Sequence, residues 1–98
     1  MAGFENTKVI CFVSDDDIYF DCENHSGNRD ACLQASALCN MLVCECANFS
    51  IKPKQYQKGR VHLEVNKPSK EMQEVFIAVM RFFHVLADEY PDNIRVYN

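Results

Sequence analysis

Met72, Val75, Phe76, Val79, Met80, Phe83, Leu86, Ala87 and Tyr90 follow the three-and-four spacing of an amphipathic helix without a break. That period lines one face of an α-helix, so the segment must lay a continuous apolar stripe on a core, with Arg81, His84, Asp88 and Glu89 on or beside the outer face. Its ends are marked as well. Ser69 is a suitable N-cap, Glu71 and Glu74 complement the helix dipole, and Pro91 disfavours helical geometry at Tyr90. A helix that buries two phenylalanines and two methionines needs a second layer to bury them against.

Strand-forming segments supply that layer. Lys8–Ser14 is β-branched and aromatic, Asp15-Asp16-Asp17 has turn chemistry, and Ile18, Phe20 and Cys22 then alternate with Tyr19, Asp21 and Glu23. This reads as a hairpin. Residues 51–66 read as a second hairpin turning near Lys58-Gly59, in which Val61, Leu63 and Val65 alternate with Arg60, His62, Glu64 and Asn66. His62 falls on the polar face, where an ordinary solvent-exposed histidine is expected. Between the hairpins, residues 31–47 carry no glycine or proline and read as a helix that is apolar nearly all round, as expected for one buried between a sheet and something else, such as a second subunit. Residues 94–98 form a last short strand. The expected fold is α+β, a single two-layer domain over residues 1–98 in the order β-β-α-β-β-α-β, with a mostly antiparallel sheet covered by two helices.

Charge and cysteine content narrow the function classes. A net charge of −4 provides no electrostatic footprint for nucleic acid, and Lys52, Lys54, Lys58 and Arg60 read as a solvated hairpin rather than a phosphate track, so direct nucleic-acid binding is not expected. No stretch is long and apolar enough for a membrane span, and the first residues lack a signal-peptide pattern, which gives an expectation of a cytoplasmic protein without membrane association. The six cysteines are then expected as reduced thiols. Cys44-Glu45-Cys46 within a helix is poorly spaced for a tetrahedral ion, and no metal or other cofactor is expected. Cys32, Cys39 and Cys46 recur every seven residues and form a narrow stripe whose expected role is packing.

The remaining chemistry lies in Asn24-His25-Ser26-Gly27-Asn28-Arg29-Asp30-Ala31-Cys32-Leu33-Gln34-Ala35-Ser36. His25 ends a strand, Ser26-Gly27-Asn28 favours a turn, and either Asn28 or Asp30 can cap the helix. Cys32 then falls in the first helical turn, where backbone N–H groups favour the thiolate. A turn that folds His25 back over the helix start gives that thiol a base, and Ser36 lies one helical turn on, on the same face.

These residues resemble the bacterial ribosomal-processing cysteine proteases, the Prp or YsxB-like family. The likeness runs through the opening hairpin, the strand-end histidine, Cys32-Leu33-Gln34-Ala35-Ser36-Ala37-Leu38, and the ending from Leu86 to Val96. It implies a cysteine endopeptidase with His25 and Cys32 as the catalytic dyad and Ser36 as a supporting hydroxyl. It also implies a homodimer and, as substrate, a protein or peptide, namely the N-terminal extension of a large-subunit ribosomal protein.

The chain departs from the family pattern at the same place. The glycine before and the alanine after the histidine are replaced by Asn24 and Ser26, and the loop to the cysteine is shorter. Arg29 occupies the family's aspartate position, with Asp30 one residue closer to Cys32 as its substitute. Leu33 and Gln34 replace small residues and are expected to narrow the channel for a peptide main chain. These departures support an alternative expectation, a non-catalytic or repurposed paralogue that acts as a protein-binding module.

Overall fold

The computed structural model describes residues 6–24 and 27–98, so the expectations placed on His25 and Ser26 lie outside the described residues. The elements are β1 (Thr7–Val13), β2 (Asp17–Asn24), α1 (Arg29–Asn48), β3 (Gln55–Gln57), β4 (Arg60–Asn66), α2 (Lys70–Glu89) and β5 (Ile94–Tyr97). This is the expected order, and it forms one α+β domain. The sheet runs β3-β4-β2-β1-β5. Every pairing is antiparallel except that of β1 with β5, which α2 makes parallel by carrying the chain back across the sheet.

Alternation decides which face each strand buries. Val9 and Cys11 of β1, Ile18, Phe20 and Cys22 of β2, and Val61, Leu63 and Val65 of β4 are all buried under the helices. The α2 stripe meets them through Met72, Phe76, Val79, Met80, Phe83 and Leu86. Phe20 lies at the centre of this contact, with its ring centroid 6.2 Å from that of Phe76 and 6.0 Å from that of Phe83. These separations suit edge-to-face and tilted aromatic pairs.

α1 packs through smaller side chains. Ala31, Ala35, Cys39, Leu42 and Cys46 are its buried residues, so two of the three cysteines in the seven-residue stripe belong to a tight seam and Cys32 lies half-buried at its end. Among the described residues, nothing covers the far side of α1. Leu33 and Met41 are 57% and 54% exposed, and α2 beside them exposes Phe82 at 61% and Val85 at 52%. Among the described residues, no helix is long and apolar enough to cross a membrane.

The open face of the sheet differs from expectation at His62. Only 20% of its side chain is exposed, because the ring packs 5.0 Å from that of Tyr19. Its Nε2 lies 2.9 Å from Glu64 Oε2 but outside hydrogen-bonding alignment. Neighbouring Asp21 also points away from the helices yet is buried. Arg60 covers it in a two-pronged contact, Nε donating to Oδ1 at 3.1 Å and Nη2 to Oδ2 at 2.8 Å. Asp21 in turn holds the Arg60 guanidinium above its ordinary pKa, chiefly through these hydrogen bonds.

Candidate functional site

The start of α1 is fixed by one side chain. Asn28 has extended backbone angles, and its Oδ1 accepts a hydrogen bond from the Ala31 N–H at 3.1 Å. Asn28 is therefore the cap, and Asp30 occupies the first turn as an exposed acidic group at the positive end of the helix. Cys32 donates its own N–H to the Asn28 carbonyl at 2.9 Å, the first intrahelical bond. With the N–H groups of Ala31 and Cys32 engaged, those of Arg29 and Asp30 are the first-turn donors without an acceptor inside the helix. An oxyanion at the helix start would have to use them.

Cys32 opens onto a cavity of about 380 Å³ between α1 and the β3–β4 hairpin. Helical periodicity builds one wall. Cys32, Ser36, Cys39 and Asn40 lie at i, i+4, i+7 and i+8 and share a face. Strand register builds the floor, because Cys22 pairs with Val61 and Val61 with Tyr56, so three side chains form a row on the same side of the sheet. The hairpin turn forms the mouth through Gln57, Lys58, Gly59 and Arg60. Gly59 has φ 88°, left-handed geometry that any other residue would take up at a steric cost. At the far end of the wall, the Tyr56 hydroxyl donates to Asn40 Oδ1 at 2.8 Å and bridges the cleft.

Three thiols line this cavity, and their environments differ. Cys22 and Cys39 are buried, at 1% and 3% exposure, whereas Cys32 is half-buried. The hydrogen bond with Cys39 and the desolvation of burial push the Cys22 thiol far above its ordinary range, which keeps it protonated. All six cysteines are thiols, with none in a disulfide. Of the cavity thiols, Cys32 has the accessibility that a nucleophile requires.

The structure brings Cys32 and Ser36 together on one wall, whereas Asp30 is not part of the cavity lining. Leu33 and Gln34 do not narrow the cleft. Each successive helical residue is turned by about 100°, which carries both away from the Cys32 face. Leu33 is exposed, and Gln34 Nε2 reaches toward α2 to the Tyr90 hydroxyl at 3.3 Å. Reading the sequence alone did not find Cys22, Asn40 or Tyr56 at the site. Alternation gave the facing of Cys22 and Val61, but aligning them with Tyr56 depends on strand register.

The same architecture occurs in solved structures. The S. aureus essential ribosomal processing protease Prp, in complex with a covalently linked product peptide, superposes with a TM-score of 0.69 at 24% identity, over 93% of this chain and 97% of that one. The fold is Prp-like. The S. aureus Prp complex with a substrate peptide gives a TM-score of 0.66 at 21% identity, over 94% of this chain and 99% of that chain. SMU.848 from Streptococcus mutans gives 0.68 at 14% identity, over 95% and 93%. No protein-family model matches the chain, and no curated protein matches it. Coverage this complete assigns the Prp-like architecture to the whole domain.

Proposed function

We propose that this protein is a cysteine endopeptidase with Cys32 as nucleophile and His25 as its base. The observation that carries this reading is the accessible Cys32 thiol in the first turn of α1, opening onto a peptide-sized cleft. The Cys32 thiolate adds to the scissile carbonyl carbon, and the carbonyl electron pair moves onto oxygen. Collapse of that adduct breaks the C–N bond, and the His25 imidazolium protonates the leaving amine. Water, deprotonated by His25, then cleaves the thioester and restores the thiol. Ser36 positions the substrate from the same wall, and Asp30 adds an acidic group at the helix start. Arg29 and Asp30 supply the N–H groups aimed at the developing oxyanion.

By resemblance to Prp, the substrate is the N-terminal extension of a bacterial large-subunit ribosomal protein, cleaved in the reducing cytoplasm. The protein works as a homodimer. The apolar surface of Leu33, Met41, Phe82 and Val85 supports this, since monomers rarely expose such patches and a two-fold axis lets one patch cover its copy. Incubation with peptides spanning such an extension, followed by mass spectrometry, tests the reading. Cleavage is expected for the parent protein and absent for Cys32→Ala; cleavage that survives the substitution removes Cys32 from the mechanism.

The reading as a repurposed binding module draws on the engaged N–H groups of Ala31 and Cys32, which leave the helix start with fewer oxyanion donors. It is distinguished by thiol reactivity. Selective alkylation of Cys32 near neutral pH that slows in His25→Ala supports the dyad, and equal rates in both proteins support the binding module.

A further inference from the structure

The bridge between Tyr56 and Asn40 has no evident part in holding the fold. Both residues are exposed, with Tyr56 at 55%. β3 is held by its own pairing with β4, Gln55 to His62, Tyr56 to Val61 and Gln57 to Arg60. The bridge also crosses the cleft at the end of the α1 wall farthest from Cys32. Asn40 lies eight residues beyond Cys32 on the same helix face, about 12 Å along the axis. Side chains on one face of an extended peptide recur about every 7 Å. The stretch from Cys32 to the bridge thus holds a side chain at the thiol and one same-face neighbour, and the Tyr56 ring stands in the path of anything longer.

We infer that Tyr56 is a specificity-determining residue: by donating its hydroxyl to Asn40 it closes the far end of the Cys32 cleft and sets the largest side chain that can lodge there. This rests on the endopeptidase reading for its substrate class and deepens it. The floor and wall, Cys22, Cys39, Val61 and Ser36, carry no charged side chain, and the charged groups stand at the mouth. The favoured peptide therefore presents an uncharged side chain of limited length beside its scissile bond. A charged group placed on that floor would lose its hydration without gaining an opposite charge. Because the bridge is one solvent-exposed hydrogen bond, removing either partner opens the end of the cleft without unfolding the hairpin.

Two measurements test this. Alkylation of Cys32 by iodoacetamides carrying N-methyl, N-benzyl or N-biphenylmethyl groups reads the cleft without requiring catalysis, with glutathione as the reference for intrinsic reactivity. Peptide hydrolysis with alanine, phenylalanine or biphenylalanine at each of four positions flanking the scissile bond reads the same limit during turnover. In the parent protein the largest group is expected to be disfavoured about tenfold relative to the benzyl group, the scale at which a pocket rejects excess bulk. Tyr56→Ala is expected to shift that ratio about tenfold toward the largest group, and Tyr56→Phe and Asn40→Ala to shift it part of the way. A ratio that is flat in the parent, or unchanged in Tyr56→Ala, overturns the inference. If alkylation shows the shift and no peptide is hydrolysed, the endopeptidase reading fails while the role of Tyr56 in limiting the cleft stands.

Discussion

Two phenylalanines on adjacent strands offer a sharp test of the layer arrangement. Phe20 on β2 is fully buried between Phe76 and Phe83, whereas Phe12 on β1 is 56% exposed on the opposite face and touches Tyr19 at a ring separation of 6.4 Å. Phe20→Ala removes a ring from a close-packed site and leaves a cavity, which costs about 3–5 kcal/mol. The upper part of that range is expected, because two aromatic contacts are lost as well. Phe12→Ala loses one tilted contact and little burial, so a cost under about 1 kcal/mol is expected. A domain of this size has roughly 5–15 kcal/mol of stability in total. Phe20→Ala should therefore lower Tm by on the order of 15–30 °C, and Phe12→Ala by a few degrees. Urea unfolding followed by circular dichroism gives both values, with Phe20→Leu as an intermediate that retains part of the volume. A Phe20→Ala cost below about 1.5 kcal/mol, or equal costs for the two alanine variants, would refute the assignment of β2's even-numbered residues to the core.

Other consequences are equally open to measurement. Asn28→Ala removes the cap of the helix that carries Cys32 and should cost about 1 kcal/mol in urea unfolding, with no loss if another side chain caps instead. Burial raises the Cys11 thiol from 9.0 to about 12 and the Cys46 thiol to about 11, so between pH 9 and those values the unfolded chain binds fewer protons than the folded one. Their contribution to stability is thus complete below the ordinary thiol pKa and is lost as pH rises, by up to about 1.4 kcal/mol per pH unit for each thiol; urea midpoints in reductant should fall from pH 8 to pH 10. If the parent sediments as the proposed dimer, Phe82→Asp should convert it to a monomer in sedimentation velocity, and an unchanged dimer would exclude the α1–α2 face as its interface. Gly59→Ala forces a Cβ into left-handed geometry at the cleft mouth and should cost about 1–2 kcal/mol in thermal unfolding.

The parts of the fold that could be read in the sequence are those set by local periodicity. The α2 stripe, the alternation from Ile18 to Cys22 and the Lys58-Gly59 turn each follow from residues a few positions apart, and each stands where the pattern indicated. The helix start was readable for the same reason, though choosing between Asn28 and Asp30 as the cap required the geometry itself. What escaped the sequence depends on pairing between distant segments. Tyr56 enters the cleft because it aligns with Val61 and Cys22, and nothing local to Gln55-Tyr56-Gln57 records that register. Buried Asp21 and half-buried His62 follow the same principle, since alternation assigns both to the polar face and only the arrival of Arg60 and Tyr19 covers them. Leu33 and Gln34 replace small residues yet do not line the cleft, because side-chain size is legible in the sequence whereas direction around the helix relative to the cavity is not.

The parallel pairing of β1 with β5 bears on the order in which the sheet is completed. Thr7 aligns with Ile94, and its N–H bonds the Asn93 carbonyl at 2.7 Å, so an edge of the sheet is closed by residues nearly a chain length apart. Contacts this distant in sequence form late, because the chain between them must already be organised before closure is rewarded. β5 is short and lies at the sheet margin, so it should also detach first in brief partial openings of the native state. In hydrogen exchange, the β1 amides bonded to β5 should lose protection before those bonded to β2, while the Cys32 cleft on the far side of the sheet stays intact.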